Sequence, residues 1–184
     1  MTVHIALLRA VNVGGSGRGL PMAELRDMLV DLGCGNTRTL LQSGNAVFTH
    51  KASGATLEAK LETATRKRFG IDVTYMLRTA SEWDAIIRRN PFAKSAKDDP
   101  SRFVLMALKS APAGAAVKAL RADYKGPETF EVTGRDAYVI YPDGQGRSKF
   151  TNALIERKLG VAGTARNWNT VLKLAALVAE PGDK

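Results

Sequence analysis

Cysteine occurs once, at Cys34, so the chain forms no internal disulfide and builds no cysteine metal centre. Histidine occurs only twice, at His4 and His50, far apart in the sequence. With no clustered carboxylates beside them, no zinc ligand set is expected and no metal is assigned. No apolar stretch approaches the ~18–20 residues of a membrane-crossing helix, which removes a membrane partner. The opening MTVHIALLRAVNVGG has no basic leading segment, and Arg9 interrupts its short apolar run. It reads as a buried strand rather than a secretion signal, and a cytoplasmic protein is expected. Acidic residues are in the minority: 18 Asp and Glu stand against 27 Lys and Arg, for a net charge of +9.

What remains is a globular composition. Of 184 residues, 45% are hydrophobic and 24% charged, enough for a core in one domain or two small ones. A basic surface attracts nucleic acid, phosphorylated ligands or acidic partners. A merely solvated basic surface fits the charge equally well.

Along the chain, Val3–Arg9 reads as a central strand, apolar on both faces. The glycine-rich loop from Asn12 to Gly19 follows, then Pro21 at a favourable helix start. Met22, Leu25, Leu29 and Leu32 share one helical face, and Gly33 and Gly35 end it. Strands follow at Asn36–Leu41 and Ala46–Thr49, joined by the turn Gln42-Ser43-Gly44-Asn45. Leu57, Leu61 and Ala64 mark a second helix ending near Phe69-Gly70, and Asp72–Arg78 a fourth strand. Strand, helix, strand, strand, helix, strand is the split βαβ order. It places the first two strands parallel with the third between them, so the Asn12–Gly19 loop and the Gln42–Asn45 turn should share a sheet edge.

Ser81 and Asp84 have capping-box spacing for a short helix carrying Trp83, Ile86 and Ile87, which Asn90-Pro91 ends. Ala93–Pro100 reads as a polar, basic linker. The element order then recurs: strand Arg102–Leu108, helix Ala113–Ala122, strands Glu128–Thr133 and Ala137–Tyr141, a loop Pro142–Arg147, a helix with Leu154, Ile155 and Leu159, a short piece Thr164–Arg166, and a final helix from Asn167. The expected fold is α+β: two ferredoxin-like (split βαβ) halves with antiparallel sheets and a C-terminal helix. Residues 1–79 form the first half, 80–100 a helix and linker, and 101–184 the second half with the terminal helix.

The segments LLRAVNVGG (Leu7–Gly15), PMAELR (Pro21–Arg26), LLQSGNAVF (Leu41–Phe48), NPF (Asn90–Phe92), YPDGQGRSK (Tyr141–Lys149) and TARNWNTVLKL (Thr164–Leu174) give the chain a resemblance to a bacterial family, domain of unknown function 1697. The usual family start reads LRGINVGG; Ala10 and Val11 depart from it here. The resemblance implies a two-part α+β fold with ferredoxin-like pieces and no established activity.

Chemistry must therefore come from the polar segments. In Thr164–Lys173, Asn167 at a helix start would free backbone N–H groups and a positive dipole end for an anion, with Arg166 offering a bidentate fork and Trp168 a stacking face. Alternatively Asn167 simply caps, Trp168 staples the helix to the core, and Arg166 pairs internally. Gly144–Lys149 suits a phosphate through glycine-freed amides with Arg147 and Lys149, or is an ordinary exposed turn; its spacing is not that of a P-loop. Gly15, Gly17 and Gly19 fail the dinucleotide fingerprint, so no nucleotide cofactor is expected. Ser43 lacks a base, since His50 lies on the order of 15 Å away along its strand and His4 at the far end of its own. Cys34, at a helix carboxyl end, is not activated. RNA-binding sheets need exposed aromatics, and the central strands offer only Phe48.

The expected function is binding of a phosphorylated or otherwise anionic ligand, a nucleotide or nucleic acid, through Asn12, Ser43, Asn45, Lys149, Arg166, Asn167 and Asn169. The rivals are an enzyme of unknown class using Glu128 or Asp143, and a sheet-mediated interaction module. No catalytic residue, reaction or oligomeric state follows from the residues.

Overall fold

Strand β1 (Thr2–Arg9) is apolar at Val3 and from Ile5 to Leu8, on both faces, and such a strand is stable only where both of its faces are covered. It lies inside the first sheet, in the order β2-β3-β1-β4, with β2 at Gly35–Thr39, β3 at Asn45–His50 and β4 at Thr74–Thr79. β1 is antiparallel to β3 and β4, and β2 is antiparallel to β3. β1 and β2 are therefore parallel with β3 between them, as the element order requires. The computed structural model describes residues 1–9, 11 and 19–180.

Helices α1 (Met22–Asp31) and α2 (Gly54–Phe69) cover one face of this sheet. Leu25, Met28 and Leu29 of α1 and Leu57 and Leu61 of α2 meet Ala6, Leu8, Ala46, Phe48, Tyr75 and Leu77. Burying each leucine contributes about 2 kcal/mol. Pro21 precedes α1 in extended backbone, and Gly70 closes α2 in the left-handed region, its N–H bonded to Arg66 O at 2.9 Å. Two short helices follow the sheet, α3 (Ala80–Arg88) and α4 (Ala93–Asp98).

The second sheet repeats the design. Its order is β6-β7-β5-β8, all pairings antiparallel, with β5 at Phe103–Leu108, β6 at Thr129–Thr133, β7 at Asp136–Ile140 and β8 at Gly163–Asn167. Helices α5 (Gly114–Asp123) and α6 (Asn152–Leu159) pack Leu120, Ile155 and Leu159 onto Val104, Met106, Val139 and Tyr141. A 3-10 turn at Gln145–Arg147 precedes α6, and α7 (Trp168–Ala179) follows β8. The two compact units are Met1–Ala85 with the chain from Leu174 onward, and Ile86–Lys173.

The α+β reading and its two split βαβ halves are those of the structure. Several local expectations differ. Leu40 and Leu41 leave β2 early because Leu41 turns into the left-handed region at φ 60° and starts the turn itself. The capping box of α3 is Thr79 with Glu82, not Ser81 with Asp84: Glu82 N donates to Thr79 Oγ1 at 3.2 Å and Thr79 N to Glu82 Oε2 at 2.7 Å. The helix can start this early because Thr79 still has strand geometry. Within the expected linker, residues 93–98 are helical.

The second face of each sheet is also closed to solvent. Ile5, Leu7, Val47 and Met76 in the first unit, and Phe103, Leu105 and Ala107 in the second, are at most 1% exposed. The duplication extends to one unusual detail. One edge strand of each sheet carries a buried arginine, Arg78 in β4 opposite Ile5 and Arg166 in β8 opposite Leu105. Each donates Nη1 to the preceding carbonyl at 2.9 Å, and a helix-capping residue follows each, Thr79 or Asn167.

Candidate functional site

Antiparallel pairing puts the first residues of β5 beside the last residues of β7 and β8. Phe103 pairs with Ile140, and Val104 with Asn167. One edge of the second sheet therefore gathers Ser101 and Arg102, the beginning of the Tyr141–Lys149 loop, and the β8–α7 junction. Hydrogen bonds tie the three together. Asn167 Nδ2 donates to Ser101 O at 2.6 Å, Tyr141 N donates to Arg102 O at 2.8 Å, and the Arg102 guanidinium donates to Pro142 O. The Ser101 hydroxyl and N–H both bond Asp99, and these bonds, with Arg102 beside it, hold the Asp99 carboxyl below its usual range.

Asn167 is the cap of α7: its Oδ1 accepts from Asn169 N at 2.9 Å. Asn169 itself is exposed. Arg166 is only 7% exposed, and its Nη1 donates to Thr164 Oγ1 at 2.8 Å as well as to Ala165 O. Burial pulls its guanidinium down to about 10. Trp168 is 5% exposed and packs on Phe103, ring centroids 4.8 Å apart. Of the two readings of this segment, the indole takes the core-staple one, with no face left for a ligand ring.

The loop leaving that edge carries its cations outward. Arg147 and Lys149 are exposed, while Phe150 between the loop and α6 is buried. Ser148 anchors the loop by donating to Glu128 Oε1 and accepting from Phe150 N at 2.8 Å. Tyr124 donates to the other Glu128 oxygen. Burial acts to raise the Glu128 carboxyl, but the Ser148 and Tyr124 hydrogen bonds outweigh it and hold the group low. Burial and then the Glu128 contact push Tyr124 up to about 12. A carboxylate held ionised by two donors fastens this loop and is a poor base for Ser148.

The first unit holds the other expected residues. Asn12 lies outside the described residues. Asn45 is fully buried and donates Nδ2 to Leu40 O at 2.8 Å and to Ser43 Oγ at 3.2 Å. Ser43 is exposed. The turn packs on the end of β1, with Leu8 N donating to Gly44 O at 2.9 Å. His4 and His50, remote in sequence, are drawn to the opposite end of this sheet, where the register sets Thr2 against His50 and His4 against Phe48. His50 is close enough to His4 for its charge to act there, and both lie away from the Ser43 turn. Burial pushes the Cys34 thiol up to about 11, a resting thiol as expected from its position. A cavity of about 490 Å³ lined by Gly19, Pro21, Glu24, Arg68, Phe69 and Ile71 lies elsewhere, and none of the seven expected binding residues lines it.

Sequence reading singled out Asn167, Asn169 and the loop, and did not name Ser101 and Arg102, which the register sets beside Asn167 and the start of that loop. Their signal was the register: the residues just before a central strand meet the exits of both its antiparallel neighbours. Among the described residues no group of three or more His, Cys, Asp or Glu is placed to hold a metal, and no helix is long and apolar enough to cross a membrane.

The profile of a family described as "Protein of unknown function (DUF1697)" matches residues 1–138. The fold is similar to that of the conserved bacterial protein SP0830 from Streptococcus pneumoniae, with a TM-score of 0.75 and 23% identity over 96% of this chain and 98% of that one. No curated protein matches.

Proposed function

Because the chain belongs to DUF1697, a family of proteins of unknown function, we infer a role from its own geometry: the second unit binds a phosphorylated or otherwise anionic ligand at the edge beside the start of β5. The observation that carries this is the meeting there of exposed Arg102, the α7 cap Asn167 with exposed Asn169 beyond it, and the start of the loop that goes on to carry exposed Arg147 and Lys149. Arg102, Arg147 and Lys149 supply charge, and the two asparagines orient the ligand. Arg166 acts from behind, holding β8 in register. A nucleotide, a sugar phosphate or the end of an oligonucleotide each presents such an anion. Ser43 and Asn45 belong to the other unit, where Asn45 works as a turn lock.

The rival readings have less support. Glu128 is committed to Ser148 and Tyr124, which removes it as a free general base. Among the described residues neither sheet offers an open apolar or aromatic face, and Phe48 is fully buried. Thermal-shift measurements with pyrophosphate, nucleotides, sugar phosphates and short oligonucleotides test the proposal. An anion at 100 times its dissociation constant stabilises by about 2.7 kcal/mol, or roughly 5–10 °C for a chain of this size. Lys149→Ala combined with Asn169→Ala should abolish that shift while leaving the unliganded Tm in place. No shift from any of these anions on the wild type sinks the reading.

A further inference from the structure

His4 lies on β1 at 1% exposure, and its Nε2 has no hydrogen-bond partner. The backbone groups of Ala52 and His50 bond the ring, so those bonds fall to Nδ1 and the neutral ring keeps its proton there. Its neighbours across the sheet are Phe48 on β3, ring centroids 5.8 Å apart, and Thr79 on β4. Thr79 and Glu82 are the two halves of the α3 capping box. The titratable groups acting on His4 are His50 on β3, which opposes its protonation, and Glu82 on α3, which favours it. His50 cannot relay the proton, because its Nδ1 already accepts from Ala52 N at 2.9 Å.

We propose that His4 is a proton-operated latch on helix α3. A second proton on the ring creates an Nε2–H cation inside the core with no acceptor of its own. The nearby carboxylate, Glu82, is at that moment bonded to Thr79 N. The charged ring draws Glu82 toward it, the capping box opens, and the first turn of α3 loosens. Acid thus acts on one helix terminus through one buried ring.

The sign follows from the burial. Desolvation first, and then His50, lower the folded His4 below its ordinary 6.5. The unfolded chain therefore binds the proton more readily. The neutral latch is complete above about pH 6.5 and is lost as pH falls through the lower folded value.

Amide hydrogen exchange at ~pH 7.5 and ~pH 5, corrected for intrinsic rates, reads the latch directly. The Glu82 and Trp83 amides should lose roughly 10-fold in protection at the lower pH, the scale of one lost cap, while Leu61 and Thr65 in α2 hold theirs. His4→Gln should remove the pH dependence. If that variant does not fold, Glu82→Gln serves: α3 exchange should become insensitive to pH while the His4 ring still titrates by NMR. Equal loss in α2 and α3, or an unchanged pH response in either variant, overturns the proposal.

Discussion

Gly44 gives the sharpest test of how the Gln42–Asn45 turn is built. Its φ is +79°, and a Cβ placed there would sit 2.9 Å from Leu8 Cβ and 3.4 Å from Val11 Cβ. Leu8 cannot step back, because it is 1% exposed within β1 and its N–H is bonded to Gly44 O. Gly44→Ala therefore incurs two penalties: about 1–2 kcal/mol for an alanine held left-handed, and about 1–3 kcal/mol for overpacking against an immobile neighbour. Gly134, in the β6–β7 hairpin, is the matched control. Its φ is +58°, but nothing lies within 4 Å of the added Cβ. Gly134→Ala should cost only the first ~1–2 kcal/mol. The two variants should thus differ by about 1–3 kcal/mol, which at a urea slope near 2 kcal/mol/M separates their midpoints by roughly 0.5–1.5 M. Coincident midpoints in urea titrations followed by circular dichroism refute the contact with Leu8 as a source of stability.

Asn45→Ala should cost about 2 kcal/mol or more, because the carbonyl of Leu40 loses its buried amide donor at 2.8 Å, whereas Ser43→Ala, at an exposed position and with the Leu40 bond kept, should cost about 1 kcal/mol or less; denaturant midpoints compare them. Asn167→Ala removes both the α7 cap and the tie to Ser101 O and should cost about 1–2 kcal/mol, read the same way. A thiol raised from 9.0 to about 11 is ionised roughly 100-fold less at pH 8, so Cys34 in the folded chain should react with a thiol reagent about that much more slowly than in denaturant; comparable rates would mean the thiol is open.

Most of the architecture was legible because its signals are local. The spacing of Met22, Leu25 and Leu29 declares a helix, and the apolar run Ile5–Leu8, apolar on both faces, declares a central strand. The split βαβ order then limits the pairings to one familiar pattern. Local signals fail where two neighbouring residues compete for one role. Thr79 and Ser81 both suit a cap, and Leu41 gives no hint that it will adopt positive φ.

Composition and periodicity carry the fold class and the positions of the polar segments, since each depends on residues within a few positions of one another. Which of those polar groups meet, and which are withdrawn from solvent, depends on strand order and register. Those bring Asn167 to Ser101 and His4 to Thr79, and they bury Arg166 and Trp168 while leaving Asn169 in water. Long-range pairing decides accessibility, and no window of the chain contains both partners.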